Sequence, residues 1–273
     1  MVPKKSLLDA ARYFLRKQQW SQGASEEELI EIAVRSMGLG ELKPFIPKEK
    51  VIELKIESAE SKPSLIKLNV REFCNETLSD SPAPGGGSVA ALMGALGVSL
   101  GGMVANLSAG KRGWDNKVEY FSSWAVKAQQ LKDELLSLVD EDTNAFNKVM
   151  DAFGLPKGSD EEKKTRTAAI QSATKYAAEI PLKVMETAAK SYELLAEMAE
   201  KGNPASVSDV GVGALATRAC IEGAALNVRI NVAQLKDEKV KSNLLDKMGK
   251  IFANSSAQFL NVFNLVSDRL KKR

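Results

Sequence analysis

The segment 138–146, LVDEDTNAF, carries two aspartates two positions apart within a stretch of helical periodicity. At about 100° per residue, Leu131, Leu135, Leu138, Phe146, Val149 and Phe153 fall on one face. Asp142 lands in the middle of that apolar stripe. Asp140 lies about 200° away and is expected to be solvated. An unpaired buried carboxylate is costly and holds its proton to higher pH, which brings it into the range useful for general acid–base catalysis. Pairing with a buried Lys or Arg, or capping of a loop, accounts for Asp142 equally well at this point.

A second polar intrusion lies in 206–235, where Asn227 and Asn231 share a face of an otherwise apolar helix. Buried amides must be hydrogen-bonded, and here either a neighbouring helix or a ligand edge could serve. Ser206, Ser208 and Asp209 stand near the start of that helix, where capping is the plain role for Ser206. A third feature is SPAPGGGSVAAL, residues 81–92, with three glycines opening an apolar helix. It matches neither a P-loop nor a dinucleotide fingerprint. Glycines at this place serve a tight turn, or offer free backbone N–H groups to an anion or a polar ring. GKRGW (110–114), LPKGS (155–159) and KKTR (163–166) put Lys and Arg on loops, where solvation is the default.

The 273 residues carry 44% hydrophobic and 27% charged side chains, enough for a packed core in one large domain or one domain plus a fragment. A net charge of +3 with no basic stripe argues against nucleic acid as a partner. Cys74 and Cys220 lack metal or redox spacing, and there is no histidine, so no metal site is expected. A reducing, cytoplasmic setting follows, and the charged opening MVPKKSLLDAARYF does not read as a signal peptide. The run 81–109 has no charge and is long enough to span a bilayer, but it is rich in Gly, Ala and Ser and contains Asn106. It reads as a central helix covered by neighbours on all sides, with Gly94, Gly97, Gly101 and Gly102 allowing close approach.

Helices are expected over 6–19, 25–37, 69–79, 86–110, 115–153, 160–200 with a bend at Pro181, 206–235 and 238–271. Residues 38–50 break the pattern with two glycines and two prolines, and the charged stretch 51–68 reads as a linker with short extended pieces. Short connections between long helices imply an all-α fold, an antiparallel bundle with a buried central small-residue helix. That uncharged helix is hard for one thin bundle to cover, so a homodimer or a larger assembly of dimers is expected.

SDSPAPGGGSVAAL, MVANLSAGKRGW, LVDEDTNAFNKVMDAFGLPK, AAEIPL, GNPASVSDVGVGA and ALNVRINV, taken in order, resemble the cyclodeaminase family. That family comprises the cyclodeaminase domain of bifunctional formimidoyltransferase-cyclodeaminases and the stand-alone methenyltetrahydrofolate cyclohydrolases. The resemblance covers residues 69–273. Residues 1–55 resemble the last segment of the transferase part, and 56–68 form the linker. Most of the transferase and its catalytic histidine are missing, so transferase activity is not expected.

The resemblance implies a helical, dimeric, cytoplasmic enzyme that takes a tetrahydrofolate derivative as substrate, with no bound cofactor, metal, nucleic acid or membrane. The reaction it implies converts 5-formimidoyl-tetrahydrofolate to 5,10-methenyl-tetrahydrofolate plus ammonia. It places the acid/base aspartate at Asp142. Folate contacts fall on Pro84, Gly85, Gly86, Gly87, Ser88, Lys157, Ser208, Asp209, Asn227 and Asn231. Lys111, Arg112, Lys163, Lys164 and Arg166 are candidates for a glutamate tail, which makes polyglutamylated folates plausible ligands. A methenyltetrahydrofolate cyclohydrolase and a non-catalytic helical interaction module are the alternatives.

Overall fold

All regular secondary structure is helical among the described residues, which in a computed structural model are 1–59 and 64–272. The chain divides into two compact units, Met1–Pro63 with Gly102–Gln129, and Ser64–Gly101 with Gln130–Arg273.

In the first unit, α1 (Lys4–Lys17) and α2 (Glu26–Ser36) pack Leu7, Leu8, Ala11 and Leu15 against Leu29, Ile30 and Ala33. Ser25 and Glu28 close a capping box at the start of α2, satisfying two otherwise unpaired N–H groups. A four-residue helix, α3 (Pro47–Lys50), precedes α4 (Ile52–Ala59). The stretch expected to hold extended pieces is therefore largely helical. Among its described residues the one bridge is an isolated parallel one between Val2 and the fully buried Val51. Residues 60–63 of the expected linker lie outside the described residues.

Asn106, the polar residue within the apolar run, finds its partners in the α1–α2 loop. It accepts from Ser21 Oγ at 2.6 Å and donates to the Gly23 carbonyl at 3.1 Å. Gln129 donates to the same carbonyl at 3.0 Å. Gly23 has no room for a side chain, since a Cβ there would stand 2.2 Å from Ala125 Cβ.

In the second unit, α5 (Val70–Leu78) leads to α6 (Gly86–Ala109), whose last residues belong to the first unit. Then follow α7 (Val118–Gly154), whose residues up to Gln129 belong to the first unit, α8 (Asp160–Ala189), α9 (Ser191–Lys201), α10 (Val207–Ala233) and α11 (Glu238–Lys271). The expected helix over 160–200 is two helices. Pro181 is buried inside α8 without ending it, and the break falls at Lys190. Lys190 keeps near-helical angles (φ −63°, ψ −20°), so no Gly or Pro marks the interruption.

Small residues join α6 to α10 in antiparallel register. Gly86 faces Asn227, Ala90 faces Gly223, Gly94 faces Cys220, and Gly97 faces Thr217 and Gly213. At the closest backbone approach a Cβ on Gly97 would lie 2.8 Å from the Gly213 carbonyl oxygen, and one on Gly213 would lie 2.9 Å from that of Gly97. Backbone meets backbone there, and nothing flexible can yield.

The expectation that α6 is covered on all sides is corrected. Leu96, Met103 and Leu107 are exposed on one face of it. Helix α10 likewise exposes Val212, Leu215, Leu226 and Ile230. Two surfaces of a single chain cannot both be the inside of its bundle, and the uncovered stripes are the remainder. Gly86–Ala109 is also the one described helix long and apolar enough to cross a membrane, and 61% of its most apolar window is buried within the protein.

A pair of glycine substitutions tests this packing. Gly97→Ala is expected to cost about 1–3 kcal/mol, the usual scale for overpacking. Gly249→Ala in α11, where a Cβ meets nothing within 4 Å, is expected to gain up to about 1 kcal/mol in helix propensity. Thermal melts of the two variants should move in opposite directions.

Candidate functional site at the start of the glycine-opened helix

Helix α6 begins without a side-chain cap of its own. The Gly85 carbonyl accepts the first helical bond, from Val89 N at 3.1 Å, so Gly85 holds the capping position with no side chain to fill it. The cap is supplied from α7. Asp142 accepts a 2.9 Å bond from Ser88 Oγ, and the Ser88 backbone N–H also favours its charged form. A carboxylate at a helix N-terminus meets unpaired N–H groups and the positive end of the helix dipole.

Gly87 makes this possible. A Cβ at Gly87 would stand 2.1 Å from Asp142 Oδ1. The missing side chain thus makes room for the carboxylate. Pro84, buried, turns the chain into this position, and Gly86 remains exposed beside Asn227. Asn227 Nδ2 lies 3.5 Å from where a Gly86 Cβ would be, and it donates to the Gly223 carbonyl at 3.0 Å.

Burial pushes the Asp142 carboxyl above the ordinary carboxylate range, against the Ser88 hydroxyl and backbone N–H, which favour its charged form. Among the described residues no Lys or Arg compensates it. Of the outcomes open for Asp142, the structure places it as a trans-acting helix cap with raised proton affinity. Ser88 is fully buried, with its oxygen also 3.1 Å from the Val139 carbonyl and 3.3 Å from Thr143 Oγ1. It stands behind the carboxylate.

Asp140 departs from the sequence reading. It is half-buried and accepts from Ser64 Oγ at 2.6 Å and Leu65 N at 2.7 Å. Its partners lie some 75 positions away, beyond the reach of helical periodicity.

The other candidate residues divide by position. Asn231 donates to the Ala177 carbonyl of α8 at 2.7 Å, a helix-to-helix bond. Ser208, exposed, and Asp209, half-buried, stand in the first turn of α10, about 28 Å along its axis from Asn227. Within one chain they do not meet Asp142. Lys157 and Lys164 are exposed near the α7–α8 connection. Lys163 pairs with Asp160 at 2.8 Å, and Arg166 donates to the Phe153 carbonyl at the end of α7. Lys111 and Arg112 belong to the first unit, where Lys111 stands 4.1 Å over the Trp114 ring.

A neighbouring cluster escaped the sequence reading. Tyr176 donates to Glu141, and Lys148 stands 4.0 Å over the Tyr176 ring and 3.6 Å from Glu141. Burial pushes Glu141 up, but bonds from Tyr176, Asn144 and Lys148 hold it below its ordinary value. A cleft of about 520 Å³ opens beside it between α7 and α8, lined by Lys148, Ala152, Ala169, Ala173 and Tyr176 among others. The one available signal was Glu141 adjoining Asp142; its partner Tyr176 is set by tertiary packing. Among the described residues no three His, Cys, Asp or Glu side chains gather closely enough to hold a metal ion.

The described residues are all helical and bring a half-buried carboxyl of raised proton affinity to the start of α6. The comparisons make this particular. Residues 69–250 match the formiminotransferase-cyclodeaminase family model, and residues 1–57 match that of the formiminotransferase domain. The chain belongs to the formiminotransferase-cyclodeaminase family. It is 34% identical to the formimidoyltransferase-cyclodeaminase of Gallus gallus over 98% of its own length and 50% of that protein. It is also 34% identical to a methenyltetrahydrofolate cyclohydrolase of Methylorubrum extorquens, over 74% of this chain and 97% of that one. The crystal structure of a formiminotetrahydrofolate cyclodeaminase from Thermotoga maritima superposes with a TM-score of 0.67 at 28% identity, covering 75% of this chain and 98% of that one. The chain spans about half the length of the bifunctional relatives.

The raised proton affinity of Asp142 has a stability signature. The native state holds the proton more tightly than the unfolded chain, so the burial penalty is absent below the ordinary aspartate pKa. It sets in as pH rises from that value through the native one. Asp142→Asn carries no such penalty and keeps an acceptor for Ser88. Its melting temperature relative to the wild type should therefore climb with pH across that window and then level off, as a pH series of calorimetric melts would read.

Proposed function

We propose that this chain is a formimidoyltetrahydrofolate cyclodeaminase, converting 5-formimidoyl-tetrahydrofolate to 5,10-methenyl-tetrahydrofolate and ammonia, with Asp142 as the acid/base group. The observation that carries the reading is the half-buried Asp142 carboxyl at the start of α6, raised in proton affinity and bounded by Gly86, Gly87 and Asn227. Family membership and the cyclodeaminase relatives support it.

The chemistry needs a group that first takes a proton and then returns it. The folate N10 attacks the carbon of the formimidoyl group in its protonated, amidinium form. A C–N bond forms as the C=N π pair moves onto the exocyclic nitrogen, which becomes NH2 on a tetrahedral centre. Asp142 as carboxylate takes the N10 proton. As the acid it gives a proton to the exocyclic nitrogen, whose C–N bond breaks to release ammonia and leave the methenyl bridge. A carboxyl poised between its two states does both steps. The exposed Gly86 backbone and the Asn227 amide offer neutral polar contacts to the folate ring. The 520 Å³ cleft along α7 is of a size for the remainder of such a substrate.

The cyclohydrolase reading, in which water attacks the methenyl carbon, has a specific observation behind it: the Methylorubrum extorquens relative matches over 97% of its length. The transferase-like residues 1–57 favour the first reading. Methenyl-tetrahydrofolate absorbance separates the two, since it appears from formimidoyl-tetrahydrofolate in one case and is lost in the other. Asp142→Asn is expected to lower turnover by ~10²–10⁴-fold with little change in folate affinity. Asp140→Asn, which loses charge-assisted bonds to Ser64 and Leu65, should lower the melting temperature yet keep turnover within a few-fold. Wild-type turnover in a folded Asp142→Asn protein would overturn the assignment.

We also infer a homodimer or an assembly of dimers, supported by the exposed apolar stripes on α6 and α10. Sedimentation should show the wild-type chain no smaller than a dimer. Leu96→Glu combined with Leu215→Glu should release the monomer.

A further inference from the structure

The hydroxyl of Ser88 has more partners than protons. It is fully buried, and its oxygen lies 2.9 Å from Asp142 Oδ2, 3.1 Å from the Val139 carbonyl and 3.3 Å from Thr143 Oγ1. A serine hydroxyl has one proton to donate and two lone pairs to accept with. It donates to Asp142 or to Val139 at any instant, never to both.

The preferred direction depends on Asp142. Facing a carboxylate, the hydroxyl makes its strongest bond towards Oδ2, since a charge-assisted bond is about twice as strong as a neutral one. Facing a carboxylic acid, the arrangement inverts. The acid proton now needs an acceptor, and Ser88 Oγ takes it while turning its own proton to the Val139 carbonyl. We propose that Ser88 is a proton-state rotor for Asp142. Rotation about its Cβ–Oγ bond pairs it with both forms of the carboxyl, so the proton comes and goes without leaving a buried polar atom unsatisfied. The role is one of positioning, and its catalytic purpose rests on the acid/base reading of Asp142 above.

Among the described residues, no charged group acts beside Ser88 on the Asp142 carboxyl. Helix α6 presents Gly87 and Ser88 to the carboxyl, and α7 presents Val139 and Thr143. Glu141, next in sequence, is engaged with Tyr176 of α8 and with Lys148. Helix α10 brings the neutral Asn227 to Gly86. Besides burial, the influences on Asp142 are the Ser88 hydroxyl and backbone N–H.

The rotor predicts that a backbone carbonyl with no titrating group of its own responds to the protonation of Asp142. In the full chain without substrate, carbon-13 shifts of the Asp142 carboxyl and the Val139 carbonyl are followed against pH, with Asp142→Asn identifying the first signal. The two should move with one midpoint. A flat Val139 signal while Asp142 titrates would overturn the rotor. Ser88→Ala should abolish the Val139 response and raise the Asp142 midpoint by about one pH unit. The corresponding limb of its pH–turnover profile should shift by the same amount, with KM little changed. An unchanged midpoint in a folded Ser88→Ala protein also counts against the rotor. If that variant does not fold, Ser88→Cys keeps a weak donor and should give a smaller shift in the same direction. Because the coupling is read without substrate, a chain that shows it but turns over no folate overturns the proposed reaction and leaves the rotor standing.

Discussion

The start of α6 is a helix terminus that cannot cap itself, and the site follows from how that deficit is met. Gly85, Gly86 and Gly87 supply no oxygen, so the unpaired N–H groups draw a carboxylate from α7. Two opposing influences then act on Asp142. Burial penalises its charge, while the helix terminus and Ser88 reward it, and burial wins by enough to lift its proton affinity. A stronger cap would hold the aspartate permanently charged, and a weaker one would leave it permanently protonated. Proton transfer needs the ground between.

The close antiparallel contact of α6 with α10 fixes where that terminus ends. With Gly97 and Gly213 in backbone contact, the register of the two helices is set, and Gly86 is thereby delivered to Asn227. The same stripe of small residues thus packs backbone on backbone at one end and makes room for a carboxyl at the other. The Gly, Ala and Ser content of α6 reads as a core feature along most of its length. Only over its first turn does the absence of side chains serve a polar group.

Local patterns made much of this legible in the sequence. Ser25 with Glu28, Asn69 with Glu72 and Ser159 with Glu162 are capping boxes spelled out within four residues, and they mark the starts of α2, α5 and α8. Periodicity alone put Asp142 on the apolar face of α7. What stayed hidden depends on partners distant in sequence. Asp140 looks solvated until Ser64 and Leu65 are brought to it, and Glu141 looks unremarkable until Tyr176 arrives. The break at Lys190 has no Gly or Pro to announce it, while Pro181, which does announce itself, leaves its helix uninterrupted.

Asp140 also decides what the first residues of the second unit are tied to. It grips Ser64 and Leu65 where the polypeptide enters the second unit, and it does so from the same turn of α7 that carries Asp142. The clasp therefore ties the start of the second unit to the turn that carries Asp142, through partners separate from the one Asp142 uses. Loss of the Asp140 bonds would free Ser64 and Leu65 from α7 while Ser88 still holds the carboxyl two residues further on.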